Sequence, residues 1–214
     1  IDPAGLNKST INKGLSAKLR ASILLVGPLL ARMNKVELPS AGGDKIGMRT
    51  IEPHLTGFEA LGSEVTQNGS YKIQASKLTG ARIVLEESSV TATENLLMAA
   101  SCTAGTTVIK LAAMEPHVQQ LADFLNKMGA KISGIGTPTY VVNGVDVLHG
   151  AKIEVISDSN EAAALITMAA ATAGRVKITG LNPEYLDDFL LKLNLFGVNF
   201  SMGKDFVEVL DPVQ

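Results

Sequence analysis

A mixed α/β fold built from a repeated strand–helix–strand–helix–strand–strand unit is what this 214-residue sequence predicts. Three observations carry that reading. Short stretches recur at a spacing of roughly 70 residues: Gly80-Ala81-Arg82-Ile83 returns as Gly150-Ala151-Lys152-Ile153, and Thr103-Ala104-Gly105 returns as Thr172-Ala173-Gly174. Helix-like segments stop at Leu61-Gly62, Met128-Gly129 and Phe196-Gly197, and a short strand-like run follows each. Glycine takes the left-handed conformation that closes a helix. Finally, the first helix of a unit is apolar on most faces and the second is amphipathic, which puts one inside and one outside, against a mixed sheet.

Each element has its own reason. Leu61-Gly62 ends a helix and leads into a strand over Ser63 to Val65. The next unit reads as strand Ala81–Leu85, helix Val90–Thr103, strand Thr107–Leu111, helix Val118–Met128, and strands Ala130–Ile132 and Thr139–Val142. Residues 92–100 are rich in Ala, Leu and Met, the composition of a buried helix. In the second helix Leu121, Phe124, Leu125 and Met128 share one face, with Gln119, Asp123, Asn126 and Lys127 elsewhere. The pattern then repeats, with an apolar helix over Ala162 to Ala173, a strand around Val176-Lys177-Ile178, a helix ending at Phe196-Gly197, and a strand over Val198 to Phe200. The Ala/Met helices are read as core packing and receive no catalytic role.

Composition narrows the class. At 46% hydrophobic with a net charge of −2, the chain describes a soluble globular protein of one or two domains. Nearly balanced charge points to no nucleic-acid or membrane partner. The longest apolar run, Ile23 to Ala31, contains Gly27 and Pro28 and is too short to span a bilayer. No signal-peptide pattern is present. The single Cys102 reads as a buried, inert thiol, in keeping with the cytoplasm. His54, His117 and His149 are far apart in loop-like surroundings, so no metal cluster is expected. Because the first residue is Ile1 rather than Met, the chain is expected to lie within a longer product, to follow a processing step, or to carry added residues.

The most chemically loaded stretch runs from Leu38 to Arg49 as Leu-Pro-Ser-Ala-Gly-Gly-Asp-Lys-Ile-Gly-Met-Arg, with Glu52 and His54 just beyond. Glycines let a backbone approach a ligand closely. Asp44 can move a proton and Arg49 can hold an anion.

This loop resembles that of bacterial UDP-N-acetylglucosamine enolpyruvyl transferases, which carry Leu-Pro-Gly-Gly-Cys-x-Ile-Gly-x-Arg, then Pro-x-Asp-x-His, then a helix ending Leu-Glu-x-Leu-Gly-Ala. Here the matching residues are Gly42-Gly43-Asp44-Lys45-Ile46-Gly47-Met48-Arg49, Glu52, His54 and Phe58-Glu59-Ala60-Leu61-Gly62. Upstream, Leu19-Arg20-Ala21-Ser22 and Gly27-Pro28-Leu29-Leu30-Ala31-Arg32 are similar to the family's Met-Arg-Ala-Ser helix and its Gly-Pro-Leu-x-Ala-Arg continuation. The resemblance runs in order along nearly the whole chain. It implies an inside-out α/β fold of two lobes, each of three βαβαββ repeats with inner helices about a pseudo-threefold axis. Residues 1–157 would form the loop-bearing lobe without its first repeat, and 158–214 would begin the second lobe or join one three-repeat domain.

The resemblance also implies a reaction. Such enzymes transfer the enolpyruvyl group of phosphoenolpyruvate to the 3'-hydroxyl of UDP-N-acetylglucosamine, for peptidoglycan precursors, with no metal or organic cofactor. Asp44 stands where the family usually has Cys; a carboxylic acid can serve as proton donor when burial raises its pKa. It also removes the thiolate that fosfomycin alkylates, so insensitivity to that drug is expected. Arg49 and Arg20 match substrate-contacting arginines, Glu52 and His54 the uridine-side pair, and Ser89-Val90-Thr91 the Ser-Val-Gly that holds the diphosphate. Glu115 matches the Arg-Glu-Pro turn and is expected to support the site from behind. Three departures stand out: Ser40-Ala41 lengthens the loop, Glu87 replaces a common uridine-binding Lys, and Ser159 replaces a common Arg. The family's Lys-Asn pair and Asp base have no counterpart in this chain, so the remaining half of the enzyme is expected to complete the site, and this chain alone to be inactive or nearly so. Two other readings compete: a transferase acting on shikimate 3-phosphate, disfavoured by the Gly-Gly-Asp-x-Ile-Gly-x-Arg loop, and a non-catalytic scaffold built from the same repeats.

Overall fold

The computed structural model describes residues 4–43 and 50–210. The chain divides into two compact units, Ile1–Ile153 and Glu154–Gln214.

The first unit opens with a short helix α1 (Lys13–Ser16), a 3-10 turn (Arg20–Leu25), helix α2 (Val26–Met33) and strand β1 (Lys35–Leu38). Helix α3 (Glu52–Ala60), β2 (Glu64–Gln67) and β3 (Tyr71–Gln74) complete a three-stranded sheet of order β1-β3-β2, and Thr10 bridges to Glu37 on the free edge of β1 in parallel. The second repeat supplies β4 (Arg82–Val84), α4 (Val90–Ser101), β5 (Thr106–Lys110), α5 (Pro116–Lys127), β6 (Lys131–Ser133) and β7 (Thr139–Asn143). Its sheet runs β4-β5-β7-β6, with β4 and β5 parallel and the rest antiparallel. Counting the Thr10 bridge as a first strand, the two sheets share one strand order, which is the structural form of the repeat.

The second unit holds α6 (Ser159–Ala171), β8 (Val176–Thr179), a 3-10 turn (Pro183–Leu186), α7 (Asp187–Leu195), β9 (Phe200–Met202) and β10 (Phe206–Val209). Its sheet order, β8-β10-β9, repeats the last three positions of the pattern. The recurrence of Gly80-Ala81-Arg82-Ile83 at Gly150-Ala151-Lys152-Ile153 does not yield a counterpart of β4: residues 151–157 carry no regular secondary structure, and β8 pairs with β10 alone. The local sequence match was sound, but a strand exists only by pairing, and this stretch lies where one compact unit gives way to the next.

The glycine stops behave as their sequence suggests: Gly62, Gly129 and Gly197 have φ of +94°, +103° and +78°. Helix α4 is the centre of the first unit. Leu96, Leu97, Ala99 and Ala100 are fully buried, and α4 packs on α2, α3 and α5. Packing there is close enough that a Cβ on Gly27 would lie 2.3 Å from the Asn95 carbonyl oxygen. Two expectations for the histidines are corrected. His54 lies inside α3 and His117 inside α5, not in loops, because Pro53 and Pro116 start helices at the first turn rather than breaking them.

Candidate active site

The glycine-rich loop is anchored at both ends by one short segment. On the incoming side, the Gly42 N–H donates to the Ser16 carbonyl at 2.8 Å and the Gly43 N–H to the Ala17 carbonyl at 3.4 Å. Gly43 has φ of +93° and sits against the backbone of Arg20. On the outgoing side, Arg20 Nη2 donates to the Thr50 carbonyl at 3.1 Å. Arg20 therefore touches both stems of the loop and is half-buried between them. Asp44 and Arg49 lie outside the described residues.

Beyond the loop, Thr50 Oγ1 accepts the Glu52 N–H at 3.0 Å in a local turn that leads into α3, whose cap position is Ile51. Glu52 is exposed on the first turn, whereas His54, two residues on, is buried to 3% exposure. Its ring is held on both sides: Nδ1 lies 2.9 Å from Asn95 Nδ2 and Nε2 lies 3.1 Å from Thr91 Oγ1. Burial, with the nearby positive charge of Arg20 as the smaller cause, lowers the His54 pKa to about 4. The imidazole is therefore neutral at physiological pH.

Thr91 belongs to the N-terminus of α4. Ser89 caps that helix in an extended conformation, its Oγ accepting the Ala92 N–H at 3.4 Å and its carbonyl accepting Thr93 Oγ1 at 2.8 Å. Ser89, Val90 and Thr91 are each partly exposed, so the free N–H groups and positive dipole end of α4 face outward beside His54. Thr93 Oγ1 also accepts the Ala113 N–H at 3.0 Å, tying the first turn of α4 to the segment before α5. Glu115 is exposed at the start of α5, where its carbonyl accepts from Val118 and Gln119. Burial raises the pKa of half-buried Glu94; the nearby His117 lowers it and the Glu115 charge raises it to a smaller extent.

The structure thus brings Arg20, the loop stems, His54 and Thr91 into one connected network, with Ser89 and Val90 on the same turn as Thr91. Glu52 shares a helix with His54 but faces solvent. Glu87 is exposed just before α4, and Ser159 is the first residue of α6 in the second unit, behind an Asp158 cap that accepts from Asn160 and Glu161. Cys102 is half-buried at the end of α4, and burial raises its thiol pKa.

Asn95 escaped sequence reasoning. It is fully buried, accepts the Gly27 N–H through Oδ1 at 2.8 Å, and donates through Nδ2 to the Ile23 carbonyl at 2.9 Å as well as facing His54. The signal was an amide directly before the apolar run Leu96-Leu97-Met98-Ala99-Ala100 of an inner helix, since a buried polar side chain needs partners. Among the described residues no group of three or more His, Cys, Asp or Glu side chains is placed to hold a metal ion, and no helix is long and apolar enough to cross a membrane.

A family model described as EPSP synthase (3-phosphoshikimate 1-carboxyvinyltransferase) matches residues 2–214. The chain is 43% identical over 210 residues to UDP-N-acetylglucosamine 1-carboxyvinyltransferase 3 of Caldanaerobacter subterraneus subsp. tengcongensis, covering 98% of this chain and 50% of that protein. It is 44% identical over 203 residues to UDP-N-acetylglucosamine 1-carboxyvinyltransferase of Treponema denticola, covering 95% and 48%. The chain spans about half the length of the curated relatives it matches. Among solved structures, the enolpyruvyl transferase NikO from Streptomyces tendae superposes with a TM-score of 0.84 at 22% identity, covering 100% of this chain and 52% of that one. EPSP synthase from Acinetobacter baumannii gives 0.60 at 17% identity, covering 90% and 48%. Both likenesses speak to the fold.

Proposed function

We propose that this chain, which belongs to the EPSP synthase (3-phosphoshikimate 1-carboxyvinyltransferase) family, carries the loop-bearing part of an enzyme that transfers the enolpyruvyl group of phosphoenolpyruvate to the 3'-hydroxyl of UDP-N-acetylglucosamine. The observation that carries this reading is the convergence of Arg20, both stems of the Gly42-Gly43 loop, and the His54–Thr91 pair beside the N-terminus of α4. Two relatives at 43% and 44% identity, both named for UDP-N-acetylglucosamine, favour a nucleotide sugar over shikimate 3-phosphate as acceptor.

In this mechanism the Asp44 carboxylic acid protonates the methylene carbon of phosphoenolpyruvate as the acceptor hydroxyl, giving up its proton to a base in the remaining half of the enzyme, adds to the neighbouring carbon. In the elimination a proton of the new methyl group returns to the Asp44 carboxylate as phosphate takes the proton held by that base and leaves, giving the enolpyruvyl ether. Arg49 and Arg20 supply fixed positive charge to the phosphate and carboxylate, a task suited to planar guanidinium groups. Ser89, Val90 and Thr91 hold the diphosphate with hydroxyl and backbone donors at a helix N-terminus. Glu52 meets the uridine side, with His54 behind it, and Glu115 steadies the turn before α5. No cofactor is required. The reaction belongs to the early cytoplasmic steps of peptidoglycan synthesis, with the remaining half of the enzyme closing over both substrates.

Calorimetric titration with UDP-N-acetylglucosamine tests the reading. Weak, saturable binding to this chain and tighter binding to the full-length protein are expected. A non-catalytic scaffold would bind in neither case.

A further inference from the structure

We propose that Asn95 is a positioning residue that locks His54 in one neutral tautomer and thereby forces Thr91 to present its hydroxyl to the ligand as a hydrogen-bond donor. The inference rests on the nucleotide-sugar reading only in naming the ligand; the proton order itself follows from the network.

The order begins at two backbone groups that have a single role each. The Gly27 N–H can only donate, so the Asn95 atom facing it at 2.8 Å is the amide oxygen. The Ile23 carbonyl can only accept, so the atom facing it at 2.9 Å is the amide nitrogen. These two contacts fix the orientation of the side chain. The remaining N–H of that nitrogen points at His54 Nδ1, 2.9 Å away. An amide nitrogen cannot accept, so Nδ1 must carry a lone pair. A neutral imidazole with a bare Nδ1 has its proton on Nε2, and that proton faces Thr91 Oγ1 at 3.1 Å.

Thr91 thus accepts from the histidine and keeps its own proton. Among the described residues no acceptor takes it. The hydroxyl is partly exposed on the first turn of α4, where free backbone N–H groups also point outward. Every element of the turn therefore offers donors, which suits an acceptor-only group such as a diphosphate oxygen. The opposite histidine tautomer would turn the hydroxyl around, since Nε2 would then demand its proton. Burial of Asn95 and His54 keeps water from supplying an alternative partner.

The test has two arms on the full-length protein. Nitrogen-15 NMR of labelled histidine, with His54 assigned by His54→Gln, is expected to show a protonated Nε2 and a bare Nδ1 at pH 7. Asn95→Asp replaces the donor with an acceptor and is expected to place a proton on Nδ1. In the second arm, KM and kcat are measured for UDP-N-acetylglucosamine. Thr91→Val is expected to raise KM about tenfold, and Thr91→Ser to restore it. Asn95→Asp is expected to raise KM in the wild-type background and to add little on top of Thr91→Val. Wild-type His54 protonated on Nδ1, or Thr91→Val binding as well as Thr91→Ser, overturns the proposal. If Asn95→Asp fails to fold, the wild-type tautomer and the Thr91 pair still decide. No binding of UDP-N-acetylglucosamine by the wild type, with the expected tautomer, overturns the choice of ligand instead.

Discussion

A Cβ atom added to Gly42 would lie 1.7 Å from the carbonyl oxygen of Ala17, so the two backbones are in direct contact where the loop leaves β1. The adjacent Gly42 N–H bond to Ser16, at 2.8 Å, depends on that approach. Any side chain at Gly42 must push the loop stem away from the segment that carries Arg20.

Gly42→Ala is therefore expected to destabilise the chain by about 1–3 kcal/mol through overpacking. Gly5→Ala is the control, because nothing lies within 4 Å of its Cβ position; it is expected to change stability by less than about 0.5 kcal/mol. Urea denaturation of both variants checks this, and equal shifts would contradict the contact's importance.

His54 makes stability depend on acid. Its pKa is about 4 in the folded protein against an ordinary value of 6.5, so the unfolded chain binds the proton more readily. The full benefit of the neutral ring is present above pH 6.5 and is lost as pH falls toward 4. The loss amounts to about 3 kcal/mol over that window. Denaturation midpoints of wild type and His54→Gln, compared at pH 7 and pH 4.5, should converge at the lower pH as the histidine's advantage shrinks. A constant gap would show that the buried ring does not titrate this way.

Arg20 is the smaller cause of that low pKa and also holds the Thr50 carbonyl. Arg20→Met should raise the His54 pKa, read from the ring-proton shifts, while burial still keeps it below its ordinary value. The same variant should loosen the outgoing stem, seen as faster amide exchange at Glu52 and His54. An unmoved His54 titration would mean that the guanidinium and the imidazole are electrostatically independent.

The two apolar helices should respond differently to truncation. Leu96 on α4 is fully buried, whereas Leu165 and Met168 on α6 are 42% and 58% exposed. Leu96→Ala is expected to cost about 2–5 kcal/mol, and Leu165→Ala less than about 1 kcal/mol. Chemical denaturation of the two variants gives the comparison; similar costs would mean that α6 is as well covered as α4.

That contrast shows where the sequence was legible. The second repeat could be read element by element: the expected helix Val90–Thr103 is Val90–Ser101, and the expected strands at Thr107 and Thr139 are β5 and β7. Apolar composition, glycine stops and period-3.6 patterning are local signals, and they survive folding. Composition alone also suggested an inner helix at Ala162 to Ala173, yet among the described residues of its own unit α6 packs chiefly on β8, β10 and a 3-10 turn. Burial depends on neighbours that the segment does not encode. The site divides the same way. Arg20, Ser89 and Thr91 stood out by motif, but the burial of His54 and the bond from Asn95 required knowing that α3 and α4 pack side by side.

Asp44 is expected to be the proton donor of the reaction, and phosphate release reads that role. The full-length protein is supplied with phosphoenolpyruvate and UDP-N-acetylglucosamine, as wild type and as Asp44→Asn. Phosphate release by the wild type, dependent on the nucleotide sugar, is expected, with a loss of at least about a hundredfold in the variant. Equal rates in the two proteins would remove Asp44 from the chemistry, and no release by the wild type would contradict the transferase reading itself.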